Sequence, residues 1–105
     1  MSVEMGIRNR RTGEYRTVPV ATAQVFRDHW LPASKALGLE LVSCLHDGSL
    51  TTVGTEQILV IVDELKRLRA SIVERQEYAE IIVRIDKILK TFETTDPAEF
   101  EYDFG

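Results

Sequence analysis

Leu39-Glu40-Leu41-Val42-Ser43-Cys44-Leu45-His46-Asp47-Gly48-Ser49-Leu50-Thr51-Thr52-Val53 is the stretch on which the reading of this 105-residue chain turns. Leu39, Leu41 and Leu45 alternate onto one face and Val42 and Cys44 onto the other, the period of a β-strand. Asp47-Gly48 is a favoured two-residue hairpin turn, because both residue types tolerate positive φ. Ser49–Val53 is then expected to pair back, Gly54 to break the strand and Thr55 to cap a following helix.

A similar unit precedes it. Val3, Met5 and Ile7 alternate with polar neighbours, Thr12-Gly13 marks a turn, and Tyr15–Val20 reads as the return strand, with Pro19 suggesting an edge. Thr22 can accept an orphan N–H at the start of a helix whose apolar face runs through Val25, Phe26, His29, Trp30, Ala33 and Leu37. Pro32 lies inside that run and is expected to bend it, since it lacks an N–H and clashes with the preceding turn. Gly38 suits the left-handed position after the helix end. The two helices begin alike, with Thr22-Ala23-Gln24-Val25 and Thr55-Glu56-Gln57-Ile58, which shared capping rules explain without a duplication.

From Thr55 to Asp96 there is neither glycine nor proline. Ile58, Ile61, Val62, Leu65, Leu68 and Ile72 share a stripe about 120° wide at helical phase. Tyr78, Ile81, Ile82, Ile85, Ile88, Leu89 and Phe92 form a second stripe, centred nearly opposite the first. One straight helix would turn its two apolar faces in opposing directions, so a helical hairpin broken near Glu74–Gln76 is the favoured reading and one long helix the alternative. After Thr94–Pro97, the alternation of Phe100, Tyr102 and Phe104 with Glu101 and Asp103 allows an added edge strand, a segment that orders on binding, or a frayed end.

These elements predict an α+β fold: two antiparallel hairpins forming a four-stranded sheet with helices on one face, in the order ββαββα, then a C-terminal helix and an acidic tail. One domain over residues 1–93 and a tail over 94–105 follow from the length and the composition shift. Hydrophobic residues at 44% and charged ones at 29% are ordinary for a soluble globular chain. No apolar run approaches the roughly 20 residues of a membrane span and no leader pattern opens the chain, so a cytoplasmic setting is expected. Cys44 is the only cysteine, which excludes an intrachain disulfide framework.

The net charge is −4, unevenly distributed. Residues 1–27 carry five arginines (Arg8, Arg10, Arg11, Arg16, Arg27) against Glu4 and Glu14, while the rest holds 8 basic and 15 acidic groups. An acidic chain repels nucleic acid and anionic membranes at long range, so neither is an expected partner. Arg8–Arg11 with Arg16 is the one patch that could contact phosphate; a solvated hairpin tip is the simpler account. A further expectation is that the acidic tail folds back on these arginines, so that deleting residues 94–105 would cost stability mainly at low salt.

Chemistry is thinly represented. On a strand, Cys44 and His46 would share a face at about 7 Å, close enough to pair or to share an ion with Asp47 nearby, but zinc needs three or four ligands. Asp63, Glu64, Glu77 and Glu80 sit among Lys66, Arg67 and Arg84 at helical pairing distances. His29 beside Trp30 reads as a core-edge histidine. No nucleophile elbow, phosphate-binding glycine loop or His-Glu-x-x-His is present, so no catalytic residue, cofactor or metal is assigned.

The expected function is therefore a non-catalytic protein–protein interaction module, self-associating as a homodimer through its helical region. The interface residues would be Tyr78, Ile81, Ile85, Ile88 and Phe92, which keep a 3-4-3-4 spacing, together with Phe100, Tyr102 and Phe104. Core packing of the same stripe is the competing account. Two alternatives stand beside it. One is a small acidic inhibitor of a basic partner, by analogy of composition with immunity and antitoxin proteins. The other is a metal-dependent enzyme centred on Cys44 and His46.

Overall fold

The structure is a computed structural model that describes residues 2–105. The chain opens with β1 (Ser2–Asn9) and β2 (Tyr15–Thr22). A bent helix follows, made of α1 (Ala23–Val25), a π turn (Phe26–Trp30) and α2 (Leu31–Ala36). After a 3-10 turn at Val42–Cys44 come α3 (Thr55–Ile72), a second 3-10 turn at Gln76–Tyr78, α4 (Ala79–Thr94) and β3 (Phe100–Phe104). The sheet is antiparallel with the order β2-β1-β3. It has three strands, not the four expected in two hairpins.

The first hairpin forms as its pattern requires. Val3, Met5 and Ile7 are buried on the core face of β1, and Val18 and Val20 beside them on β2. Asn9 closes the turn by accepting the N–H groups of Arg11 and Thr12 on its side-chain oxygen, and Gly13 supplies the positive φ of 75°. The register slips between Val3 and Glu4, opposite Pro19 and Ala21, where proline has no N–H to give. On the outer face Gly6 is bare, and Tyr15 and Asp103 close over it from the two flanking strands; a Cβ there would run into both.

The overturned region is residues 39–53. Gly38 adopts φ 70°, and the N–H groups of Gly38 and Leu39 return to the carbonyls of Lys35 and Ser34, a Schellman end for α2. The chain then coils tightly instead of extending: Ser43 N–H bonds Leu39 O, Cys44 bonds Leu41 O and Leu45 bonds Val42 O. Leu39, Val42 and Leu45, three residues apart, are the buried set, which is the 3-10 period. An apolar run at 39, 41, 42 and 45 fits a period of two nearly as well as a period of three, and the sequence pattern alone does not separate them. Asp47-Gly48 is a turn with Gly48 at φ 77°, but it joins no pair of strands. Residues 50–53 do reach the sheet, on another strand: Val53 N–H donates to Tyr102 O, and Phe104 N–H to Leu50 O.

Thr22 caps α1 through a hydrogen bond from Val25 N–H. Pro32 offers no N–H and its ring cannot sit against a normal preceding turn, so the helix widens ahead of it, and Leu31 N–H reaches back five residues to Phe26 O. The widening keeps Phe26 and Trp30 both buried, with ring centroids 5.7 Å apart. For α3 the cap is Gly54, not Thr55, with Gln57 Oε1 accepting the Gly54 N–H. Residues 55–94 form a helical hairpin. Arg75 is extended at the break, its guanidinium bonded to Glu77 and lying 4.6 Å from the Tyr78 ring centroid. Arg69 holds Asp86 across the two helices.

The C-terminal segment is a strand of this same chain. β3 runs antiparallel to β1 from Phe100 opposite Asn9 to Phe104 opposite Met5, and Tyr102 and Phe104 enter the core. The tail does meet an arginine, as Arg10 bonds Glu101 at 3.1 Å, but burial of two aromatic rings is the larger attachment.

Candidate functional site

The eight residues expected at an interface fall mostly inside the molecule. Ile81, Ile85 and Ile88 on α4 and Tyr102 and Phe104 on β3 are buried in the core that α3, α4 and the sheet share. Tyr78, Phe92 and Phe100 are half-buried against that core. Tyr78 meets His29 edge-on at 5.6 Å, and Phe92 leans on Tyr102 at 5.2 Å. The rims of these three rings reach the surface, whereas Ile81, Ile85 and Ile88 are enclosed.

Cys44 and His46 are not a pair. The coiled backbone sends His46 onto the Phe26 ring, 4.9 Å between centroids. Cys44 faces Asp47 instead. Burial first, and then the Asp47 carboxylate, hold the thiol above its ordinary range, which disfavours the nucleophilic thiolate. Asp47 is itself held low, because its carboxylate accepts from the Ser49 side chain and from the Ser49 N–H, the latter at 2.9 Å. Among the described residues no three His, Cys, Asp or Glu side chains gather closely enough to hold a metal ion.

Glu64, read from sequence as a surface partner of neighbouring lysine and arginine, is buried. Its Oε1 accepts Val42 N–H at 2.9 Å and Oε2 accepts Leu41 N–H at 3.5 Å. The carboxylate thus caps the 3-10 turn from another helix and fixes residues 39–46 on α3.

Two of the four arginines of the patch are engaged: Arg8 lies 4.9 Å from the Tyr15 ring centroid and bonds Gly13 O, and Arg10 pairs with Glu101, while all four, Arg11 and Arg16 included, stay exposed. Across the outer sheet face Tyr15 bonds Asp103; desolvation, then the charge of Asp103, raises the phenol above its ordinary value.

Two apolar depressions remain. Between the bent helix and the start of α4, a cleft of about 280 Å³ is floored by Val20, Val25, Trp30 and Ile81, with Arg84 on its rim already paired to Glu80. Trp30 Nε1 and Ser34 Oγ are buried in this region of the helix without a hydrogen-bond partner. The second is a groove of about 250 Å³ on the outer side of the helical hairpin. Leu59 and Val62 from α3 and Leu89 and Phe92 from α4 line it, and Lys66 and Glu93 flank it. Leu59 is 67% exposed, the most exposed large apolar side chain of the described residues. In the sequence, Val62 falls in the first apolar stripe and Leu89 and Phe92 in the second, Phe92 being one of the expected interface residues, while Leu59 belongs to neither. The available signal was Leu59 itself, an apolar residue out of phase with its own stripe.

No described helix is long and apolar enough to cross a membrane. Compared with family models, curated proteins and solved structures, the chain has no significant match in any of the three.

Proposed function

We propose that this chain is a non-catalytic protein-binding domain that self-associates through the outer groove of its α3–α4 hairpin. The observation that carries the reading is Leu59, a large apolar side chain standing out at the mouth of a groove walled by Val62, Leu89 and Phe92. The groove is self-complementary in charge. Lys66 stands on one helix and Glu93 on the other, and among the described residues neither has an ion-pair partner. A two-fold axis across the groove places Lys66 of one copy against Glu93 of the next, the isologous arrangement of most homodimers. Ile81, Ile85 and Ile88 support the hairpin from within and take no part in the contact.

Chemistry at Cys44 has less in its favour, since burial and then the Asp47 carboxylate push the thiol up, against thiolate formation, and His46 is stacked elsewhere. The acidic-inhibitor reading rests on total charge, and five of the acids are already paired with arginines.

Sedimentation equilibrium on the wild type and on Leu59→Glu tests the proposal. Burying a leucine contributes about 1.5–3 kcal/mol, and two are lost per dimer, so the variant should weaken association by about a hundredfold or more. It should remain folded, because the side chain is exposed. A wild type that stays monomeric at its highest soluble concentration, or a Leu59→Glu dimer of undiminished affinity, would overturn it.

A further inference from the structure

Two of the sheet's three strands have both edges covered. β1 lies between its neighbours, and the outer edge of β3 takes the hydrogen bonds of residues 50–53. Among the described residues, the backbone of β2 pairs with β1 alone. Its outer edge therefore offers unpaired N–H and C=O groups around Tyr15 and Thr17, as far as Pro19, which has no N–H to give, and that stretch is a template on which another strand can add.

What lies beneath that edge is charged. Between β2 and α4 a cleft of about 310 Å³ is lined by Arg16, Val18, Lys87, Lys90, Thr91 and Thr94. At Arg16 and Thr94 it adjoins a second cleft of about 540 Å³, which crosses from the start of β2 past Ile7 and Asn9 of β1 to Phe100 of β3. Arg16, Lys87 and Lys90 are exposed, and among the described residues none of them has an ion-pair partner. Glu14, at the hairpin end, is the one acid on the lining. Three uncompensated cations in one groove of a chain with net charge −4 are a local reversal of sign.

We infer that the β2 edge is a docking site for an extended acidic segment of another protein, which adds to the sheet as a fourth strand. Its backbone bonds β2. Its alternate side chains, about 6.6–6.8 Å apart, turn toward the groove, where Arg16, Lys87 and Lys90 receive carboxylates. The same cations argue against a second copy in this place, because edge-to-edge pairing of two β2 strands would bring like charges together. The groove shares no lining residue with the one at Leu59, so the two proposals stand or fall separately.

The test uses the full chain and three labelled probes: a blocked peptide of alternating threonine and glutamate, its threonine–lysine counterpart, and single-stranded oligothymidylate. Fluorescence anisotropy reads binding at low and high salt, and amide hydrogen exchange reads protection along β2. The threonine–glutamate peptide should bind, slow exchange in β2, and lose affinity by about tenfold with Lys87→Glu plus Lys90→Glu, and again with added salt. Arg16→Glu provides a second variant with a different backbone context, and near-UV circular dichroism checks that each variant keeps its fold. Leu59→Glu should bind the peptide as the wild type does. No binding at low salt, equal binding of the lysine peptide, or affinity untouched by charge reversal would overturn the inference. Tighter binding of oligothymidylate would overturn it in favour of nucleic acid.

Discussion

Phe104→Ala separates two physical accounts of how the C-terminal strand is held. Phe104 is 2% exposed, sits opposite Met5 in the central strand and donates its N–H to Leu50. Removing a buried phenylalanine ring costs about 3–5 kcal/mol, counting the lost transfer energy and the cavity left behind. Set against a total of about 5–15 kcal/mol for a domain, that is a large fraction. At about 4–8 °C per kcal/mol for a chain near this size, Tm should fall by on the order of 15 °C or more. The competing attachment is the Arg10–Glu101 pair, whose side chains are each 47% exposed. Such a pair is worth at most about 1 kcal/mol and fades as salt is added. Thermal melts of the wild type, Phe104→Ala and Glu101→Ala at low and high salt distinguish the two. The loss in Phe104→Ala should persist at high salt and that in Glu101→Ala should vanish. If the two variants cost the same, or if salt restores Phe104→Ala, charge and not burial holds the strand. By the same reasoning, deletion of residues 94–105 should destabilise at every salt concentration, contrary to the purely electrostatic expectation from sequence.

Two further outcomes can be checked by urea denaturation. Glu64→Ala leaves Val42 N–H without its acceptor in a buried site, and should lower stability by about 2 kcal/mol; a change within about 0.5 kcal/mol would mean water takes over the cap. Asp47 is held below its ordinary value by its bonds to Ser49, so its contribution is present above the unfolded value near 4 and is lost as pH falls through the lower folded value. The urea midpoint of the wild type should thus drop more steeply below about pH 4 than that of Asp47→Asn. That substitution keeps an oxygen for the Ser49 N–H but cannot titrate. Parallel pH profiles would remove Asp47 from the acid response.

What was legible in the sequence was whatever a few neighbouring residues decide among themselves. The β1–β2 hairpin follows from alternation and a glycine turn, the cap at Thr22 from one hydroxyl, and the end of α2 from Gly38. The α3–α4 break has no glycine or proline, yet phase betrays it, because two stripes on opposite sides of one helix cannot both face a single core. Of the candidate surfaces, the Leu59 groove was half visible, as an apolar residue out of phase. The β2 groove was not, since Arg16 and Lys87 are distant in sequence and meet only when α4 packs beneath the sheet.

Residues 39–53 mark the boundary. Leu39, Leu41, Val42 and Leu45 satisfy a strand or a 3-10 coil, so their own pattern leaves the backbone undecided. The tertiary structure decides it with two partners far along the chain. Glu64 accepts the N–H groups of Leu41 and Val42, which favours the coil over an extended strand. β3 arrives from the opposite end of the sequence to occupy the place beside β1, and residues 50–53 bond to its outer edge. Local sequence determined which segments were apolar and where they turned. Which backbone groups those segments bonded was settled by contacts that exist only once the chain has closed on itself, because every buried N–H and C=O must find a partner wherever the fold provides one.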